Sequence, residues 1–164
     1  MKQVKIKKLF ECLILALLLN STSAVSDVAT DFIMASKEIA AGRYQKANYF
    51  YFRILSVDPN NIEAQYGLAQ CFNKTRQTKL ALTELKKILL INPDHVKSLT
   101  LRATIFTQQH NWDAVMIDAE HLVQINPLNK QAYMFMDNAF SVQGDTESAK
   151  AAIERYEQVK ALAQ

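Results

Sequence analysis

Three histidines and two cysteines are the obvious candidates for acid–base, metal or thiol chemistry, and their spacing favours none of it. His95, His110 and His121 lie far apart and fall in no metal-ligand spacing. A zinc site needs ligands at short fixed spacings, such as H-E-x-x-H or C-x-x-C, and neither occurs. His121 directly follows Glu120, and sequence neighbours on a helix do not face one another. His110 falls in an expected turn, where water solvates it. Loops that cradle phosphate or raise a nucleophilic serine follow G-x-x-x-x-G-K-[ST], G-x-G-x-x-G or G-x-S-x-G. None is present, and the chain has only three glycines. Cys12 lies in an apolar run near the start, which leaves Cys71 as a lone thiol that reads as a small buried hydrophobe. No catalytic group, metal or cofactor is therefore expected, and the remaining chemistry is recognition by a surface.

The surface must be built by helices. Of the 164 residues, 49% are hydrophobic, enough for a real core. Three Gly and three Pro are too few for the many tight turns of a sandwich or barrel. The prolines are Pro59, Pro93 and Pro127, spaced 34 and 34, within the similar segments VDPNN, INPDH and INPLN. Proline ends a helix and biases its predecessor toward extended backbone, while a neighbouring Asn or Asp can cap the next helix. The frames are 28–61, 62–95, 96–129 and 130–163. Each holds two helices, as in Ile62–Thr75 and Thr78–Leu90 of the second. The break between them falls at Ala41-Gly42, His110-Asn111 and Gly144-Asp145 in the first, third and fourth frames.

Period and residues together resemble the tetratricopeptide repeat, W-x2-L-G-x2-Y, then A-x3-F, then P. The second frame reads Gln65-x2-Leu68-Ala69-x2-Phe72, Ala81-x3-Leu85, Pro93. The first keeps Gly42, Tyr44, Ala47, Tyr51 and Pro59, but has Asp31 and Glu38 where aromatics are usual. The third has Leu99, Ala103, Phe106 and Trp112, with Val115 in place of Ala. The fourth has Tyr133, Phe140, Ala149 and Ile153, with Asp137 at the small position and Ala161 replacing the proline. The resemblance implies an all-α fold, a right-handed α-solenoid of about four helix–turn–helix repeats over residues 25–164. It also implies a concave face lined by first helices. The fifth positions there are Phe32, Tyr66, Thr100 and Met134; the ninth are Ser36, Gln70, Thr104 and Asn138. Such a face suits an extended peptide or a helix of a protein partner. Relatives that clamp a C-terminal carboxylate use Lys and Asn at these two positions, so a carboxylate clamp is not expected here. The last helix, Thr146–Leu162, carries Lys150, Glu154, Arg155, Glu157 and Lys160 on its outer face. It is either its own cap or an edge that meets another subunit.

The opening residues, MKQVKIKKLFECLILALLLNSTSA, have the order of a secretory signal peptide: basic, then apolar, then small and polar up to Ala24. The apolar stretch 9–19 is shorter than the roughly 20 residues that span a bilayer. An uncleaved inner-membrane anchor by residues 9–19 is the alternative. This segment holds four Lys and one Glu, so of 19 basic and 16 acidic residues 15 of each remain. The rest of the chain is neutral, without a basic stripe to bind nucleic acid. A cleaved leader places the protein in the periplasm, as a scaffold or adaptor of an envelope assembly or membrane machine. Small exported tetratricopeptide accessory factors of pilus and secretion systems, the Tad/Flp type among them, are similar in fold and address. Two alternatives remain open: a chaperone for a secreted subunit, resembling those of type III secretion, and a regulatory subunit of an envelope enzyme. The leader predicts a native protein that begins near Val25. Mass spectrometry of the natively purified protein checks this, and an intact Met1–Gln164 mass in the membrane fraction contradicts it.

Overall fold

In the computed structural model, residues 27–163 are described. The leader, its cleavage point at Ala24 and Cys12 lie outside the described residues. Among the described residues there are eight helices and no strand. They are α1 (residues 27–40), α2 (Tyr44–Val57), α3 (Ile62–Lys74), α4 (Thr78–Ile91), α5 (Val96–Gln108), α6 (Trp112–Ile125), α7 (Lys130–Gln143) and α8 (Thr146–Leu162). This is the all-α succession of helix pairs that the 34-residue period predicts; in the second frame the expected ends differ by one residue.

The period is written into the backbone as well as the side chains. Gly42, Arg76, His110 and Gly144 all have positive φ, at 71°, 60°, 56° and 80°. These residues are 34 apart and each closes the first helix of its pair. A left-handed residue just past a helix end frees the backbone to turn and lets late amides reach orphaned carbonyls. At the next residue Arg43, Gln77, Asn111 and Asp145 bond back to the carbonyls of Glu38, Phe72, Phe106 and Phe140. The prolines have a matching bracket. The side chains of Asp58, Asn92 and Asn126 accept from the amides of Asn60, Asp94 and Leu128, closing a turn around each proline. Asn61 and Asn129 then cap α3 and α7, and Asn111 and Asp145 cap α6 and α8. At α5 the cap position is His95, which pairs with Ser98 Oγ at 2.7 Å. Asp94 is not a cap; its carboxylate bonds His121 on α6 at 2.8 Å.

The chain divides into two compact units, one ending at Gly67 and one starting at Leu68. In the first, Ala35, Ala47, Tyr51, Ile54 and Ala64 are buried. The two acids that depart from the repeat pattern are answered by arginines. Asp31 is buried and pairs with Arg53 of α2 at 3.1 Å. Glu38 takes a two-pronged bond from Arg43, which holds its carboxyl below the usual range and raises the guanidinium. Tyr51 occupies the space that Gly67 leaves open. A β-carbon on Gly67 would lie under 3.0 Å from three atoms of the Tyr51 ring.

In the second unit α4 packs on α5, α5 on α6, α6 on α7 and α7 on α8. The core joins Leu99, Ala103, Val115, Ala119, Leu122, Tyr133, Phe135 and Met136. Alanine at one side of a helix crossing admits a large residue at the other, as close packing requires. Asp118 of α6 is fully buried, and its carboxylate accepts a hydrogen bond from Nε of Arg102 at 3.0 Å. A buried carboxylate without its partner would be costly, so this pair fixes how α5 meets α6.

The four turns give opposite expectations for two substitutions. Open space surrounds Gly144, so only its φ opposes a side chain. Gly144→Ala should destabilise by about 1 kcal/mol, while His110→Gly should be neutral to stabilising by up to about 1 kcal/mol. Urea unfolding followed by circular dichroism checks both signs.

Candidate partner-binding face

The helices that carry the expected contact residues are α1, α3, α5 and α7. In the first unit Phe32 and Tyr66 are half-buried and Ser36 is exposed. Phe32 lies edge-on to Tyr51, with ring centroids 6.3 Å apart. Its ring thus touches the buried Tyr51 while the side chain as a whole stays half-buried. In the second unit Thr100 and Thr104 are half-buried, and Gln70, Met134 and Asn138 are exposed. Met134 is 48% exposed, unlike its helix neighbours Tyr133, Phe135 and Met136, which are buried. Tyr66 and Gln70 stand one turn apart on α3, and Met134 and Asn138 one turn apart on α7. The same spacing joins Phe32 to Ser36 and Thr100 to Thr104.

The hydroxyls differ from the amides in what they offer. Ser36 Oγ donates to the Phe32 carbonyl at 2.9 Å, and Thr104 Oγ1 to the Thr100 carbonyl at 2.8 Å. Their protons are spent on their own helices, so they present lone pairs and a methyl group. Gln70 and Asn138 are amides with both donors and acceptors. None of the eight positions carries a charge. Each first helix therefore presents a pair of neutral side chains, and in three of four pairs one is a large apolar or aromatic group.

No group of three His, Cys, Asp or Glu among the described residues is placed to hold a metal. Cys71 is buried, and burial pushes its thiol up to about 11. At neutral pH it is the thiol, not the nucleophilic thiolate, that is buried there. His110 is exposed and lies edge-on to Trp112, with ring centroids 5.8 Å apart. No helix among the described residues is long and apolar enough to cross a membrane.

One feature of the second unit was not foreseen from sequence. A cleft of about 290 Å³ is lined by Met116 and Glu120 of α6, by Met136 and Phe140 of α7, and by Ala151 and Arg155 of α8. Tyr133 also lines it, and its buried hydroxyl meets no hydrogen-bonding partner among the described residues. The repeat pattern assigns Tyr133 and Phe140 to core positions, and nothing in the sequence signals the space between them.

Residues 38–105 match the tetratricopeptide-repeat family. Mouse sperm-associated antigen 1 is 33% identical over 92 residues, 56% of this chain. The matched region spans only 10% of that protein's length. Among solved structures, MamA from Desulfovibrio magneticus RS-1 superposes with a TM-score of 0.72 at 17% identity, covering 82% of this chain and 76% of that one. The second tetratricopeptide domain of human RPAP3, in complex with the HSP70 peptide SGPTIEEVD, gives 0.64 at 19% identity, covering 71% and 97%. The first such domain of Spaghetti (RPAP3), bound to the HSP90 peptide SRMEEVD, gives 0.67 at 15%, covering 73% and 94%. The fold is thus that of tetratricopeptide-repeat proteins, helices packed in consecutive pairs. The similarity to Tad/Flp accessory factors finds no support in these comparisons.

Proposed function

We propose that the protein is a non-enzymatic adaptor of the cell envelope, exported by its leader, that binds a neutral segment of a protein partner along its first helices. The observation that carries this reading is the contrast within those helices. Ala35, Ala69, Ala103, Tyr133 and Met136 are buried, whereas Phe32, Tyr66 and Met134 remain partly or largely open beside Ser36, Gln70 and Asn138. Apolar anchors interleaved with amides suit an extended peptide or an amphipathic helix, whose side chains bury while its polar groups stay paired. The two RPAP3 domains are bound to peptides that end in EEVD. This chain offers no charge at the eight corresponding positions, so an acidic tail is a poor fit and a neutral segment a good one. The basic and apolar order of the first 24 residues supports an envelope address.

Aromatic anchors carry most of an interface's energy, and losing one costs about 2 kcal/mol or more. Tyr66→Ala should therefore weaken partner binding by roughly 30-fold or more, with Gln70→Ala a smaller companion loss. Lys86, exposed on α4, is the control. The partner is captured by in vivo crosslinking in the native host, and binding of each variant is measured by calorimetry. Normal binding by a folded Tyr66→Ala, with loss in Lys86→Ala, moves the site to the second helices. Retention of the protein in the cytosol contradicts the envelope address alone.

A further inference from the structure

The cleft beside Tyr133 opens where the fourth repeat departs from the third. In the third, Arg102 of α5 donates to the buried Asp118 of α6. The equivalents 34 residues on are Met136 of α7 and Ala152 of α8, and both line the cleft. Ala152 is the smallest member of its series, after Phe50, Glu84 and Asp118. Its neighbour Ala151 is likewise the smallest, after Tyr49, Thr83 and Ile117. Volume that the other second helices fill is therefore absent from α8.

A gap left by small residues is not by itself a site, but here a buried polar group asks for an occupant. Tyr133 is 1% exposed, and its ring lies against Tyr156 with centroids 5.6 Å apart. Its buried hydroxyl has no hydrogen-bonding partner among the described residues. A buried hydroxyl left unpaired is costly, so such groups are as a rule answered by water or a ligand. Burial orders the rest of the lining. Tyr133, Met136 and Ala152 are buried, Met116 and Phe140 are half-buried, and Glu120 and Arg155 are exposed. Glu120 comes from α6 and Arg155 from α8, and neither pairs with another charge among the described residues.

We propose that this cleft binds a free aromatic amino acid whose ring has a polar tip, tyrosine or tryptophan. The ring lies among Met116, Met136 and Phe140, where thioethers and an aromatic ring make favourable contacts with it. The tip meets Tyr133, whose hydroxyl donates to a phenol oxygen or accepts from an indole N–H. At the exposed end the ammonium pairs with Glu120 and the carboxylate with Arg155. These two opposite charges select the free amino acid, because the same residue inside a polypeptide carries neither. The cleft, of about 290 Å³, lies just below the roughly 300–1,000 Å³ of pockets that enclose drug-sized ligands, which suits one ring and a short head. The site shares no residue with the eight positions on the first helices, so it does not depend on the partner-binding reading.

Calorimetric titration of the full chain with L-tyrosine, L-tryptophan and L-phenylalanine tests the assignment. At least one of the first two should bind saturably, one per chain. L-phenylalanine, which lacks the polar tip, and the N-acetyl amide of the bound amino acid, which lacks both charges, should each bind roughly tenfold more weakly or worse. Tyr133→Phe should weaken the preferred amino acid by a similar factor and leave L-phenylalanine unchanged, a difference that a purely structural hydroxyl would not produce. Arg155→Gln should weaken the free amino acid and leave its N-acetyl amide unchanged. Absence of saturable binding of L-tyrosine and L-tryptophan up to about 1 mM would overturn the inference and leave the hydroxyl to water. Equal binding of the free amino acid and its N-acetyl amide would also overturn it, assigning the cleft to an aromatic side chain of a protein partner. So would a Tyr133→Phe variant that loses both ligands by the same factor.

Discussion

The contact between Tyr51 and Gly67 is the constraint on which the repeat architecture depends. A glycine inside a helix costs about 1 kcal/mol relative to alanine. Here it is retained because no β-carbon fits beside the tyrosine ring. Sixty-eight residues further on, the equivalent positions Ala119 and Phe135 invert the sizes within one core cluster. A single helix pair buries too little apolar surface to stand alone, so these crossings hold the chain folded. They also fix which sides of the first helices stay open. What stays open on each first helix is the side left once the crossings and the small residues Ala35, Ala69 and Ala103 are buried.

Electrostatics enters where the pattern departs from apolar packing. Asp31 and Glu38 stand at positions that the repeat usually fills with aromatics, and each draws an arginine. Arg53 reaches from α2 and Arg43 from the turn before it, so the acids tie α1 to both the turn and α2. Arg102 and Asp118 do the same between α5 and α6 with deeper burial. Such pairs add little net stability over an apolar pair, but they penalise any crossing that separates the charges. The first repeat thus keeps its register through ion pairs where the others rely more on ring and methyl packing.

Much of this was legible in the sequence because it repeats. Three prolines at equal spacing fixed the frames, and Ala81, Leu85 and Ile88 mark a core face by helical periodicity alone. The left-handed backbone at Arg76 and His110 was not legible, although the turn at His110-Asn111 was: neither residue is a glycine, and only the equivalence with Gly42 and Gly144 reveals it. The ion pairs escaped for a different reason. Asp118 lies 16 residues from Arg102, and a lone acid on a helix gives no sign of whether it points inward. The eight positions on the first helices were placed by resemblance to a family; four of them are exposed and four half-buried. That Ser36 and Thr104 turn their hydroxyls onto their own backbones comes from local geometry, which periodicity does not encode.

The fit of the Tyr51 ring against Gly67 sets how α2 meets α3, and a double-mutant cycle on the two residues, read by urea unfolding, tests this most directly. Gly67→Ala alone should destabilise by about 1–3 kcal/mol through overpacking, even though alanine is the better helix former. In the Tyr51→Ala background the same substitution should change sign and stabilise, by up to about 1 kcal/mol, because the ring that opposed it is gone. If Gly67→Ala has the same effect in both backgrounds, the two residues are not coupled, and their fit does not set how α2 meets α3.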